Sequence, residues 1–327
     1  MKKISTSLLG ILFLMISCSK QDSKAPVEEE QIETTAITQR HCAANEVLEA
    51  QIAADPALRK RMEDIEAYTE KVMRNPSAYR LVNGVVEIPV VVHVVYNTEQ
   101  QNISDAQVQS QITVLNEDFN NTNADRTKVP AEFTDEQTSV GIRFVLYKTL
   151  RINTRVKSWS TNDAVKNSKR GGSDAVDPSQ YLNMWVCNLG QGLLGYAQFP
   201  GGNPATDGVV CLYSAFGSRA KATGTYVNAY DLGRTTTHEV GHWLNLRHIW
   251  GDATCGNDQV GDTPTAHGAN YGCPGTISGC AAGTREMTMN YMDYTDDVCM
   301  YMFTNGQKTR VDAVFAAGGP RASMATP

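Results

Sequence analysis

No basic run crosses this 327-residue chain, and its formal net charge is −6. The electrostatic footprint of a nucleic-acid binder is therefore missing. No internal repeat divides the sequence, and no stretch has the ligand spacing of an EF-hand. The apolar run from Leu8 to Ile16 is too short to span a bilayer. What is present is ordinary for a globular protein: 41% hydrophobic and 20% charged residues, in a length that holds one large catalytic domain or two smaller ones.

Residues 1–18, MKKISTSLLGILFLMISC, combine a Lys2–Lys3 head with that apolar run and read as a secretory signal. Their end, Met15-Ile16-Ser17-Cys18, resembles a bacterial lipobox, in which Cys18 becomes the lipidated first residue. A secreted protein or a cell-surface lipoprotein is expected, touching membrane only through this anchor. Beyond Cys18 seven cysteines remain, an odd number, and four of them follow residue 250 in a segment rich in Gly, Asp, Asn and Thr. Cross-links there restrict a large unfolded ensemble. Cys187 and Cys211 are read either as a pair between neighbouring strands or as buried thiols.

Residues 19–40 are polar and aperiodic and read as a tether. Val47, Ile52, Leu58, Met62, Ile65 and Val72 recur at helical spacing, with Asp55-Pro56 separating two helices. The run 85–97, VVEIPVVVHVVYN, predicts a buried strand, edge or bulged at Pro89. Ser104-Asp105 opens a helix with Val108, Ile112, Leu115 and Phe119 on its buried face. Strands are expected at 141–150, 183–188, 192–200 and 208–213, and a terminal helix at 305–317 closed by Gly318-Gly319-Pro320. This order predicts a mixed α/β domain.

The chemistry concentrates in residues 237–250, THEVGHWLNLRHIW. On a helix His238 and His242 share one face, and Glu239 stands one step round from the first. That pairing suits Zn²⁺ beside a carboxylate able to take a proton from water. His248 reaches the same ion only if the helix stops and the chain bends back, and Asn245 is a residue that enters the left-handed conformation readily. Three imidazoles leave one tetrahedral position open, the mark of a catalytic rather than a structural zinc. His41, His93 and His267 lie outside this cluster and read as structural or exposed. Downstream, MTMNYMDYTDDVCMYMF supplies Met292 and Tyr294, on composition alone core filler and a packed aromatic. The oxygen-rich segment GDATCGNDQVGDTP offers Asp252, Asp258, the Val260 carbonyl, Asp262 and Thr263 to a hard cation such as Ca²⁺.

HEVGHWLNLRHIW together with NYMDYTDDVC resembles the pappalysin family of metzincin metalloproteases, particularly its small microbial members. The resemblance covers residues 85 to 317. It implies a metzincin-type fold: a twisted mixed sheet with an active-site helix, an irregular C-terminal subdomain and a terminal helix. It implies His238, His242 and His248 as zinc ligands, Glu239 as general base, Met292 as the methionine of the turn beneath the metal, and Tyr294 as a phenol that stabilises the tetrahedral intermediate. Asn245 stands where the broader pattern has Gly. Asp297 matches an aspartate that shapes a pocket for a basic side chain, so cleavage before Arg, and secondarily Lys, is expected. GLLGYAQFP resembles the edge strand to which a peptide substrate adds, with Gly195 and Tyr196 near that substrate.

The same resemblance implies calcium near residues 252–263, disulfides Cys255–Cys280 and Cys273–Cys299, and a latent form in which Cys42 occupies zinc's open position. Removal of the N-terminal segment, by an activating protease or by self-cleavage, is placed in the RKRM stretch 59–62 or further on. The expected division is a signal at 1–18, a tether and propeptide at 19–60, and a catalytic domain at 61–322 whose subdomains meet at 248/249. The sequence thus predicts a secreted or lipid-anchored zinc endopeptidase acting on proteins or peptides. The competing reading is a non-catalytic, zinc-containing surface module that binds by strand addition.

Overall fold

β-Branched residues organise the centre of the molecule. The strand β1 (Val86–Tyr96) lies between β2 (Ile142–Asn153) and β3 (Leu182–Cys187), parallel to both. β5 (Val209–Leu212) adds parallel to β3, and β4 (Gly195–Ala197) closes that edge antiparallel to β5, giving the order β2-β1-β3-β5-β4. This is a computed structural model in which residues 37–75 and 85–325 are described. The expected signal, Cys18 and the tether as far as residue 36 lie outside them. All described residues belong to one packed unit.

Alternation along the strands sorts side chains onto two faces. Leu182, Met184 and Val186 of β3 join one buried apolar cluster, while Trp185 and Cys187 join another. Val209 and Cys211 of β5 part from Val210 and Leu212 in the same way. The first face is covered by α3 (Asp105–Phe119), whose Val108, Ile112, Leu115 and Phe119 are buried as the pattern predicted. Each such side chain contributes about 1.5–3 kcal/mol on burial. Ser104 starts that helix, its side chain accepting a hydrogen bond from the Gln107 amide. Pro89 pairs with Val145 of β2 on one side only, since the β1–β3 pairing begins at Val90, and the β1–β2 register shifts just after it, between Val90 and Val91. With one side unpaired, a residue that donates nothing to the ladder is tolerated there.

Ahead of the sheet, α1 (Ala44–Ala54) and α2 (Ala57–Arg74) flank the Asp55-Pro56 break. The expected boundary at 60/61 falls inside α2, and the RKRM stretch belongs to that helix. Its charges ride the solvent side while Leu58, Thr69 and Val72 are buried. The stretch lies within the helical run that the apolar spacing predicts. After β5 the chain enters α4 (Arg234–Trp243), then an irregular segment, and ends with α5 (Asn305–Phe315). α5 begins with a reciprocal cap between Thr304 and Gln307.

Candidate metal centre and cleft

Every residue of α4 is buried, so its polar groups need internal partners. Arg234 at its start bonds both oxygens of Asp118 on α3 and the carbonyls of Asp297 and Met300. Thr237 donates to Asp118, and so does the Tyr291 hydroxyl. Burial pushes the Asp118 carboxyl up to about 6, against the pull of Arg234. The helix stops where the sequence allows: Asn245 is left-handed, with φ 71°. The Leu246 amide returns to the Gly241 carbonyl at 2.9 Å, and Arg310 of α5 holds the Asn245 carbonyl at 2.7 Å.

That turn brings His248 back beside the helix. His242 Nε2 lies 3.1 Å from His238 Nε2 and 3.1 Å from His248 Nε2. Ligands 2.0–2.1 Å from one tetrahedral ion stand about 3.3 Å apart, so the three nitrogens converge as a zinc ion requires. His238 donates through Nδ1 to the Tyr291 carbonyl and His242 to the Leu246 carbonyl, which leaves each Nε2 lone pair facing the common point. His248 Nδ1 is 2.6 Å from Asp252 Oδ1. Burial, with the neighbouring imidazoles, drives His238 well below its ordinary value and His242 down to about 3. Both are thus neutral, the form that ligates. Neutral nitrogen donors in a dry pocket fit Zn²⁺.

Beneath the histidines lies Met292, fully buried, its sulfur against Gly241 so closely that a Cβ there would run into it. The Met292 carbonyl accepts from the Ile249 amide at 3.3 Å. Trp250 stacks flat on His248, 4.3 Å between centroids and 4° between planes, and Tyr294 meets both rings edge-on.

The open side is covered by the chain's own N-terminal segment. Cys42 forms one donor cluster with the three histidines, their ligand atoms all within 4.8 Å of one another. Its Sγ is 3.3 Å from Glu239 Oε2, and the Tyr294 hydroxyl donates to its carbonyl at 3.0 Å. Buried there, Glu239 is raised to about 8, with Cys42 and Arg40 pulling the other way. The segment pairs with β4 in parallel: Leu194 donates to the His41 carbonyl and Ala43 to the Gly195 carbonyl, each at 3.0 Å. Two residues before Cys42, Arg40 is 1% exposed. Its guanidinium meets Asp297 Oδ1 at 2.6 Å, the Thr295 carbonyl at 3.2 Å and Thr235 Oγ1 at 3.1 Å.

Several expected roles look different in place. Asp297 is fully buried, and its second oxygen accepts from the Leu232 and Arg234 amides, so the carboxylate also anchors the start of α4. Gly195 faces the cleft, and a Cβ on it would lie 2.8 Å from Glu239. Tyr196 does not; period-2 alternation turns its ring to the opposite face, against Lys166. Among the described residues, the expected calcium carboxylates do not converge. Asp252 is engaged by His248, Asp258 by Thr263 and the Val260 amide, and Asp262 by Thr304 and the Gly306 amide. Asp262 therefore serves the start of α5.

Cys255 is bonded to Cys280 and Cys273 to Cys299, while Cys42, Cys187 and Cys211 are buried free thiols. His267 joins Cys255 and Cys280 in a second donor group, whose sulfurs the disulfide removes from ligation. His93 is buried between Ser173 and Asn183, and His41 is exposed. Sequence reasoning missed Arg40 and the Asp252–His248 contact. The first had a signal, a lone Arg beside Cys42; the second required knowing the bend after Trp250.

The sequence family described as Peptidase_M43, pregnancy-associated plasma protein-A, matches residues 165–316. An extracellular metalloprotease of Arthroderma otae is 31% identical over 247 residues, covering 74% of this chain and 82% of that protein. One from Pyricularia oryzae is 33% identical over 236 residues, 70% and 75% of the two chains. Among solved structures, a Tannerella forsythia promirolysin variant superposes with a TM-score of 0.78 at 42% identity, covering 87% of this chain and 97% of that one. Mature mirolysin in complex with a cleaved peptide gives 0.70 at 47% identity, over 73% and 95%.

Proposed function

This chain belongs to the M43 pappalysin family of metzincins and is a secreted zinc metalloendopeptidase related to mirolysin; from that premise we propose that it is made latent and, once opened, cuts proteins before arginine. The observation that carries this reading is the pair Arg40–Asp297 two residues from Cys42. A buried arginine in a cleft beside a zinc-type cluster marks what side chain the adjoining pocket accepts. Arg fits it by shape as well as charge, because its planar fork satisfies Asp297, Thr295 and Thr235 together, whereas Lys offers a point charge.

In the proposed roles, His238, His242 and His248 hold Zn²⁺ and Cys42 completes the latent set. The ion, when bound, supplies Lewis acidity toward the scissile carbonyl and toward water. Glu239 takes the proton released by the attacking water and passes it to the leaving amine. Tyr294, freed from the Cys42 carbonyl, turns its hydroxyl to the developing oxyanion. The Gly195 backbone, now paired with residues 41–43, is the ladder a substrate would join. Met292 supports the histidines from below. Because the N-terminal segment runs parallel to β4, it fills the cleft in one polarity while a substrate added antiparallel to that edge would run in the other.

Latency, the lipid anchor at Cys18 and release of the N-terminal segment are parts of the same proposal. So is the division into signal, propeptide and catalytic domain, with the release point moved out of α2 because a protease grips extended backbone. Calcium is kept for Asp258, Thr263 and the Val260 carbonyl, which lie hydrogen-bonded together; metal analysis of the purified chain tests it. Glu239→Ala should retain zinc and lose at least about 10³-fold in turnover. A cleavage profile on a peptide library with the opened parent enzyme should show Arg after the cut bond. Undiminished proteolysis by the variant, or a profile blind to basic residues, would sink the reading.

A further inference from the structure

Three imidazoles meet at the candidate metal point, and their outer nitrogens are held unequally. His238 and His242 lean on neutral backbone carbonyls, those of Tyr291 and Leu246. His248 alone leans on a carboxylate, with Asp252 Oδ1 2.6 Å from Nδ1. The local chain is shaped for that contact. Gly251 and Asp252 are both left-handed, with φ 59° and 55°, which folds the backbone so that the carboxylate reaches four residues back. A Cβ at Gly251 would collide with the Asn257 backbone, so the bend admits glycine alone. Trp250, one residue earlier, fixes the plane of the same ring by stacking. The tripeptide 250–252 therefore sets both the tilt and the tautomer of the one ligand that α4 does not carry.

We propose that Asp252 is a positioning residue for the metal, acting through His248. The proposal rests on the zinc reading above and deepens it. A dication held by three neutral nitrogens and the Cys42 thiolate still leaves a net charge of +1 in a buried site, and +2 once the N-terminal segment is gone, which is unfavourable without a further anion. Asp252, partly solvated with its side chain 32% exposed, supplies that anion without taking a coordination position. The hydrogen bond makes the imidazole a stronger donor and pre-orients the ligand that must otherwise be recruited from beyond the helix end.

The test uses the full-length chain carrying Glu239→Ala, so that it does not digest itself, with Asp252, Asp252→Asn, Asp252→Ala or Asp252→Glu. Zinc affinity is measured by competition with a chromophoric chelator, and thermal melting is recorded with zinc and after its removal. Asp252→Asn keeps the shape and removes the charge, and it should weaken zinc binding 10–100-fold, the range of such outer-shell changes. Asp252→Ala should do at least as much, and Asp252→Glu should recover part of the loss. In the Asp252→Asn chain, whose side chain also tolerates the left-handed backbone at 252, the metal-free melting temperature should stay with the parent's while the zinc-loaded one falls. Affinities within twofold of the parent in both Asn and Ala chains would overturn the proposal. So would equal losses of melting temperature with and without zinc, which mark a merely structural contact. Failure of the parent chain itself to bind zinc would instead overturn the zinc reading.

Discussion

The stretch from Val86 to Trp243 and the stretch from Leu244 to Thr304 are held by different means. The first is a five-stranded sheet with α3 and α4 on it, its strands joined by backbone ladders. The second has no α-helix or strand of its own, yet Met287, Met289, Tyr291, Met292, Met300 and Met302 are as buried as any strand residue. Its backbone is fixed by side chains instead. Asp293 binds the amides of Asn270 and Tyr294, Asn290 the amide of Met292, and Glu286 that of His267. Two disulfides add covalent restraint. The lesson is that an irregular segment positions Met292, Tyr294 and Asp297 as tightly as a sheet would, provided each buried amide finds a carboxylate or carboxamide.

If that contrast holds, damage should separate along it. The largest stability effect is expected from Cys273→Ser with Cys299→Ser. Opening a loop of this length should remove about 3–4 kcal/mol. Hydrogen exchange should show the loss in residues 250–300 first, with the β1–β3 amides protected until global melting; simultaneous loss in both stretches would erase the distinction. Gly241→Ala probes where the two stretches touch, since its Cβ meets the Met292 sulfur. It should lose about 1–3 kcal/mol by overpacking. Adding Met292→Ala should return part of that, and strictly additive losses in the double variant would deny the contact. The smallest expected effects are at the helix starts. Ser104→Ala should lose about 1 kcal/mol by denaturant melting. Thr304→Ala should lose more, because its hydroxyl also donates to Asp262 and so ties α5 to the irregular stretch; equal losses would show that tie to be idle.

Legibility from sequence follows the same line. Strands and α3 were readable because apolar period reports burial directly. The histidine cluster was readable because a four-residue step and a left-handed-tolerant Asn245 are local facts. The face taken by the Tyr196 ring was not legible, because alternation within three residues needs the partner strand to fix its phase. Asp252, Asp258 and Asp262 were read as a common set from their oxygen chemistry. Their actual partners, His248, Thr263 and Thr304, depend on a backbone path that no period encodes. Arg40 lay unnoticed because its partner Asp297 stands 257 positions away.

The two disulfides interleave, joining 255 to 280 and 273 to 299. Any single backbone break between Cys255 and Cys299 therefore leaves the two pieces covalently joined. Within that interval the sequence contains a single Lys or Arg, Arg285, and the bond before it lies under the Cys273–Cys299 arch. A chain nicked at that bond would still carry its methionine floor, its Tyr294 and its Asp297 on a connected chain.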